Sequence, residues 1–186
     1  NSLIDTSRRS VLRKPYRPST MSLRELERGR IIPDVVETVN THSKAQIAVT
    51  FGDIPVVLGE NIDPKDSSKE PHVSITGTED HAFYTLICTD PDAPDPANPT
   101  KAEFVHWIVT NIQKGDIKSG DKVLSYVGPA PPTGVHRYVF LLYKQSEKIN
   151  FEAPEQRILF KVAAEAEKYY LGDPEAVIYF TSKKDK

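Results

Sequence analysis

Proline sets the tightest limit on what this chain can fold into. Four prolines fall within Asp90-Pro91-Asp92-Ala93-Pro94-Asp95-Pro96-Ala97-Asn98-Pro99, and three within Gly128-Pro129-Ala130-Pro131-Pro132-Thr133-Gly134. Proline lacks a backbone N–H and its ring clashes with the preceding helical turn. Neither run can therefore lie inside a helix or a central strand. The chain holds 15 prolines in 186 residues, about 8% against a usual value near 5%, and only 9 glycines. A helical bundle is excluded, and short strands joined by rigid loops are expected. Hydrophobic residues make up 38% and charged residues 27%, which suits one domain with a sizeable core.

The strand signals lie between these loops. Ala45–Phe51 and His72–Thr76 alternate, as half-buried strands do. Phe83–Thr89 is a continuous apolar-leaning run, which predicts a central strand buried on both faces. Phe104–Val109, Val123–Val127, Tyr138–Tyr143 and Ala176–Phe180 read as further strands. Ser22-Leu23-Arg24-Glu25 has the form of a capping box and Gly29 that of a stop, predicting a short helix from Leu23 to about Arg28. Leu159, Val162, Ala163, Ala166, Tyr169 and Tyr170 keep near-helical spacing, which predicts one long helix over 155–171 near the C-terminus. Many strands with few helices make a mainly β fold, a sandwich with peripheral helices.

Cys88 is the only cysteine, which excludes an internal disulfide framework and a cysteine-based zinc finger. Within Tyr84–Thr89 it reads as a buried, inert thiol. No apolar window is long enough for a membrane-spanning helix or resembles a secretory signal, so a reducing, cytoplasmic location is expected. The net charge of −2 is uneven: residues 1–20 carry +4 and the other 166 carry −6. Residues 1–21 read as a basic arm, flexible or a targeting remnant, 22–182 as the β domain, and 183–186 as a charged tail. The mildly acidic body does not favour nucleic acid, while the arm leaves peripheral contact with an acidic membrane surface open. No coiled-coil seam is visible, and a monomer is expected.

The chemistry concentrates at the proline loops. Asp90 and Asp92 precede a strand bearing His106, and Gly128–Gly134 precedes His136-Arg137-Tyr138. If the two histidine strands are neighbours, both imidazoles meet both loops at one rim. Two imidazoles can donate to phosphate or carboxylate oxygens, and backbone N–H groups near Gly128 and Gly134 can add donors. An aspartate beside a histidine fixes its tautomer, and prolines keep the site preformed. Taken singly, each feature is ordinary. Asp-Pro forms turns, His106 between apolar residues suits a core, and His136 beside Arg137 suits a surface. Asp90, Asp92, His106 and His136 could also ligate a metal or do acid–base work, though their spacing demands neither. No phosphate-binding loop, dinucleotide fingerprint, nucleophile elbow or His-Glu-x-x-His motif is present, so no cofactor is expected.

In combination the motifs are specific. Asp90-Pro91-Asp92-Ala93-Pro94, Glu103-Phe104-Val105-His106-Trp107, Tyr126-Val127-Gly128-Pro129-Ala130-Pro131-Pro132 and Gly134-Val135-His136-Arg137-Tyr138-Val139 closely resemble the phosphatidylethanolamine-binding protein family. That family includes Raf kinase inhibitor protein and plant flowering-time regulators, and the resemblance covers roughly residues 22–181. It implies two antiparallel sheets, a C-terminal helix and a small anion pocket. Carried over by motif position, the pocket uses Asp90, Ala93, Pro94, His106, Gly128, Pro132, His136 and Tyr138, with Phe104 at its mouth and a cis Ala93–Pro94 bond. Ala130 stands where animal members often have a second glycine, and the short Thr133-Gly134 is nearer the plant-like form.

The resemblance implies a non-enzymatic protein that binds a phospholipid head group or a phosphorylated segment and regulates signalling, with a protein kinase as one kind of partner. Anion binding should then weaken above about pH 7 as the histidines lose charge. Two other readings remain: a serine protease inhibitor acting through surface loops, and an Asp/His metal-assisted hydrolase.

Overall fold

A computed structural model of the chain describes residues 22–184. Its elements are α1 (Leu23–Arg28), α2 (Ile31–Asp34), β1 (Gln46–Phe51), β2 (Ile54–Pro55), β3 (His72–Thr76), β4 (Phe83–Asp90), β5 (Phe104–Gln113), β6 (Asp121–Leu124), β7 (Val135–Gln145), α3 (Val162–Lys168) and β8 (Ala176–Lys183). The strands form two sheets, ordered β2-β1-β3 and β6-β5-β4-β7-β8, and every pairing within them is antiparallel. The chain is thus mainly β, with two antiparallel sheets and peripheral helices. The expected arm at 1–21 lies outside the described residues, and β8 runs one residue into the expected tail.

Each sheet face has its own reason to be buried. Ile47, Val49 and Phe51 of β1 and Val73 and Ile75 of β3 alternate inward, and meet Tyr84, Leu86, Cys88, Trp107, Val109 and Phe140 of the larger sheet. The opposite face of that sheet offers Ile87, Val105, Ile108, Leu141 and Tyr143 to Leu26, Ile31 and Val35 of the N-terminal helices and to Phe160, Val162 and Ala166 near α3. The larger sheet is therefore covered on both sides, which explains why β4, at its centre, reads as a continuous run rather than an alternation. Cys88 is buried there, and burial together with Asp90 pushes its thiol pKa well up.

Two helical expectations need correction. The long helix over 155–171 is not formed, and only the seven residues Val162–Lys168 are helical. Leu159 has a left-handed φ of 59°, and Phe160 exchanges both backbone hydrogen bonds with Glu103, just before β5, while the Arg157 carbonyl accepts from the Val105 N–H, so 155–161 is held against the start of that strand as an irregular strap. Long-range backbone hydrogen bonds have overridden the helical spacing there. Helix α1 forms where expected, but the Ser22 side chain makes no capping hydrogen bond. Gly29, in the right-handed region, stands there for space: a side chain would collide with the Tyr179 hydroxyl.

Candidate functional site

Strand β4 ends at Asp90, and the first residues of β5 and β7 lie on either side of that end. The histidine strands are thus not neighbours. β4 separates them, and its terminal carboxylate stands between His106 and His136. Beyond it lies a cavity of about 250 Å³. Asp90, Ala93 and Pro94 line one side, Gly128 and Pro132 another, and His106 and His136 the base, with Phe104 also at the wall. The Ala93–Pro94 bond is cis. Gly128 is required by close approach, since a Cβ there would lie 2.7 Å from the Ser68 Cα. Tyr138 does not line the cavity. It lies behind, edge-on to His106 at 5.1 Å between ring centroids and stacked on Phe180 at 5.1 Å.

His106 owes its aim to a bulge. Cys88 pairs with Trp107 and Thr89 with Val105, which leaves His106 without a partner on β4. A bulge of this kind turns two successive side chains to one side. Trp107 accordingly joins the inter-sheet core, and His106 packs against Tyr138 of the same core. The His106 carbonyl accepts from the Val127 N–H at 3.0 Å, and its Nδ1 lies 2.6 Å from the Val127 carbonyl. A carbonyl can only accept, so Nδ1 carries the hydrogen. Nε2 has no protein partner among the described residues. Burial is the largest influence on the ring and pushes its pKa down to about 4, against the pull of Val127 and Asp90.

His136 has the opposite surroundings. Nδ1 donates to Asp90 Oδ2 at 2.7 Å, and Nε2 donates to the Thr133 carbonyl at 2.8 Å. Burial opposes its charge, but the hydrogen bond and charge of Asp90, the Thr133 carbonyl and Asp92 outweigh it, and the pKa is raised. The pH expectation is corrected accordingly. Above pH 7 only His136 has a charge to lose, because buried His106 is already neutral.

Three residues that the sequence did not single out brace the site. Arg137 forks onto Asp92, with Nε 2.9 Å from Oδ2 and Nη2 2.7 Å from Oδ1. Its Nη1 reaches the Gly29 and Arg30 carbonyls and Asp34, tying α1 and α2 to the Asp90–Pro99 loop. Asp90 and Asp92, two residues apart, thus serve His136 and Arg137 on opposite sides of the loop. The paired spacing of Asp-x-Asp and His-Arg could have signalled this. Arg157, from the strap, donates to the Val105, His106 and Ser125 carbonyls, a contact with no sequence signal. Glu103 is buried behind Phe104, where it accepts from the Thr89 hydroxyl at 3.0 Å, and burial pushes its carboxyl up to about 7. Lys101 and Ile158 complete the cavity mouth together with Val127, Ala130 and Pro131. Among the described residues, no group of three or more His, Cys, Asp or Glu is arranged to hold a metal ion.

Known proteins resemble this chain in sequence and in fold. The family model for phosphatidylethanolamine-binding protein matches residues 40–180. Protein MOTHER of FT and TFL1 homolog 2 of Oryza sativa subsp. japonica is 38% identical over 161 residues, covering 84% of this chain and 91% of the relative. Protein FLOWERING LOCUS T of Arabidopsis thaliana is 34% identical over 158 residues, covering 84% and 89%. Among solved structures, a carboxypeptidase Y inhibitor complexed with its cognate proteinase superposes with a TM-score of 0.78 at 25% identity, covering 87% of this chain and 94% of that one. The phosphatidylethanolamine-binding protein from Plasmodium vivax shares the fold, with a TM-score of 0.76 at 22% identity over 89% and 99% of the two chains. By sequence, motif order and sheet topology together, the chain belongs to the phosphatidylethanolamine-binding protein family.

Proposed function

We propose that this protein is a non-enzymatic signalling regulator that holds a phosphate-bearing anion in the cavity at the end of β4. The observation that carries the reading is the convergence of Asp90, His106 and His136 with two proline-stiffened loops on one cavity. Lys101 adds a full positive charge at the mouth, and the Gly128 N–H donates to no protein acceptor among the described residues. A charge-assisted hydrogen bond contributes about 1.5–3 kcal/mol, so a few of them hold a small anion in a preformed site. Relatives named for flowering regulation favour a signalling role, with a protein kinase or another signalling protein as partner. The ligand is a phospholipid head group or a phosphorylated segment, and the setting is cytoplasmic.

Calorimetry with phosphoethanolamine tests this reading. Wild type should bind, Lys101→Ala and Phe104→Ala should weaken binding several-fold, and His136→Ala should abolish it. The two mouth variants keep the test readable if His136→Ala, stripped of its Asp90 pair, fails to fold. Unchanged affinity in the mouth variants would remove the cavity from consideration.

A second reading, protease inhibition through surface loops, is favoured by the structural likeness to the carboxypeptidase Y inhibitor. Residual carboxypeptidase Y activity after incubation with this protein decides it. Full activity at micromolar protein rejects that reading.

A further inference from the structure

The helix-side face of the larger sheet is not covered to its end. Odd-numbered residues of β7 and β8 point to that face, where Val139, Leu141, Val177 and Tyr179 are buried with the helices. The next residues along the same face are Val135 and Arg137 on β7 and Thr181 and Lys183 on β8. Val135 is 49% exposed, and Lys183, its partner across the ladder, is exposed beside it. A polar cleft of about 690 Å³ opens there, and it shares no lining residue with the cavity at the end of β4. Its walls are the α1–α2 junction, the outer side of the Asp90–Pro99 loop and the end of the strap at Lys161.

The acids in this cleft are already matched. Arg137, on the floor, holds Asp92, and Asp34 is held by Arg30 and Arg137. The Glu103 oxygens accept from the Thr89 hydroxyl and the Val162 N–H. What is left over is positive. Arg30 forks onto Asp34 through Nε and Nη2, which leaves Nη1, and Lys161 Nζ makes one bond, to the Ala102 carbonyl. Arg28 at the end of α1 and Lys183 at the end of β8 form no ion pair among the described residues. Free cations therefore stand on three sides of one cleft, on a body that otherwise carries −6 over 166 residues.

We propose that this cleft is a docking site for an acidic segment of a partner protein, an extended run of aspartate and glutamate around one aliphatic side chain. Cations set apart on three walls match several spaced carboxylates better than one compact phosphate, and such complementarity selects the partner. Val135 and the rings of Pro91, Pro96 and Pro99 give the aliphatic side chain an apolar floor. Among the described residues no aromatic side chain lines the cleft, so a nucleobase has nothing to stack on. The chain's own residues 1–20 carry +4 and are repelled. The site is independent of the anion cavity and of what that cavity holds.

Fluorescence anisotropy of the wild-type chain with a fluorescein-labelled octapeptide, aspartate and glutamate around one leucine, tests the inference. The peptide should bind in low salt and be released near about 0.5 M salt, where exposed charges are screened. Arg28→Glu, Lys161→Glu and Lys183→Glu each replace an exposed attraction with a repulsion and should weaken binding by roughly three- to ten-fold. Lys122→Glu makes the same change of charge on β6, at the opposite edge of the sheet from β8, and should stay within about two-fold. All four side chains are exposed, so none of these variants opens the core. Equal weakening by Lys122→Glu overturns the inference, as does a wild-type affinity weaker than about 1 mM. Displacement of the peptide by phosphoethanolamine would put it in the cavity at the end of β4 and overturns it too. A neutral octapeptide with one phosphoserine that binds more tightly than the acidic peptide would assign the cleft to phosphate and overturn the acidic run.

Discussion

The two walls of the cavity carry the same side chain, with its pKa shifted in opposite directions. On the β5 wall, His106 is 5% exposed, has one carbonyl partner, and is neutral through most of the acid range. On the β7 wall, His136 is 1% exposed, yet a carboxylate and a carbonyl pull its pKa up. Both rings are closed to solvent. They differ in whether burial is offset by a hydrogen-bonded partner of opposite charge, and Asp90 makes that hydrogen bond to His136 only.

The largest test is to take that partner away. Asp90→Ala leaves His136 buried without its carboxylate and frees the Asp92 N–H. Breaking a buried pair from one side costs about 3–5 kcal/mol, so the melting temperature should fall by roughly 10 °C. In ring NMR spectra His136 should then titrate in the acid range, as His106 does. A drop below about 2 °C would show that the pair is not what separates the walls.

The acid branch of the stability curve comes next. His106 titrates lower in the folded chain than in the unfolded one. Its contribution is therefore present above its ordinary value and lost as pH falls through about 4. That loss is on the order of 3 kcal/mol. Glu103, raised to about 7, has the opposite sign, contributing below its ordinary value and losing that contribution as pH rises through about 7. The two partly cancel between pH 4.5 and 6.5. Glu103→Gln, which can still hydrogen-bond Thr89, should make the melting temperature rise more steeply with pH there. An unaltered slope would mean that Glu103 is not neutral when buried.

Arg137→Lys is smaller. It loses the planar fork on Asp92 and contacts to the α1–α2 junction, at a cost of about 1–3 kcal/mol. His106 should keep its low titration point. If that point moves by more than about half a unit, the Asp92 side of the loop is coupled to the β5 wall. Smallest is Lys122→Ala, which breaks an exposed pair with Glu70. It should change stability by less than about 1 kcal/mol, and denaturant titration checks it.

Much of the architecture is legible in the residues. Alternation marks β1 and β3, the continuous run marks β4, and the proline clusters mark the two loops. These are local properties, since side-chain direction follows from backbone period and a proline cannot donate in a ladder. The helix expected over 155–171 shows where local signals fail. Its spacing is helical, but Phe160 gains two backbone hydrogen bonds with Glu103, 57 residues away in sequence. Arg157 likewise meets the Val105 carbonyl only through that long-range pairing.

The sequence by itself determined the mainly β class, the positions of the rigid loops and the set of polar residues gathered near them. Only the tertiary structure decided that β4 lies between the histidine strands, that a bulge turns His106 inward, and that one imidazole has its pKa raised and the other lowered. The reason is physical. Proline and alternation act through the backbone of a few neighbouring residues, whereas a histidine's proton depends on which distant carbonyl or carboxylate the fold brings to its two nitrogens.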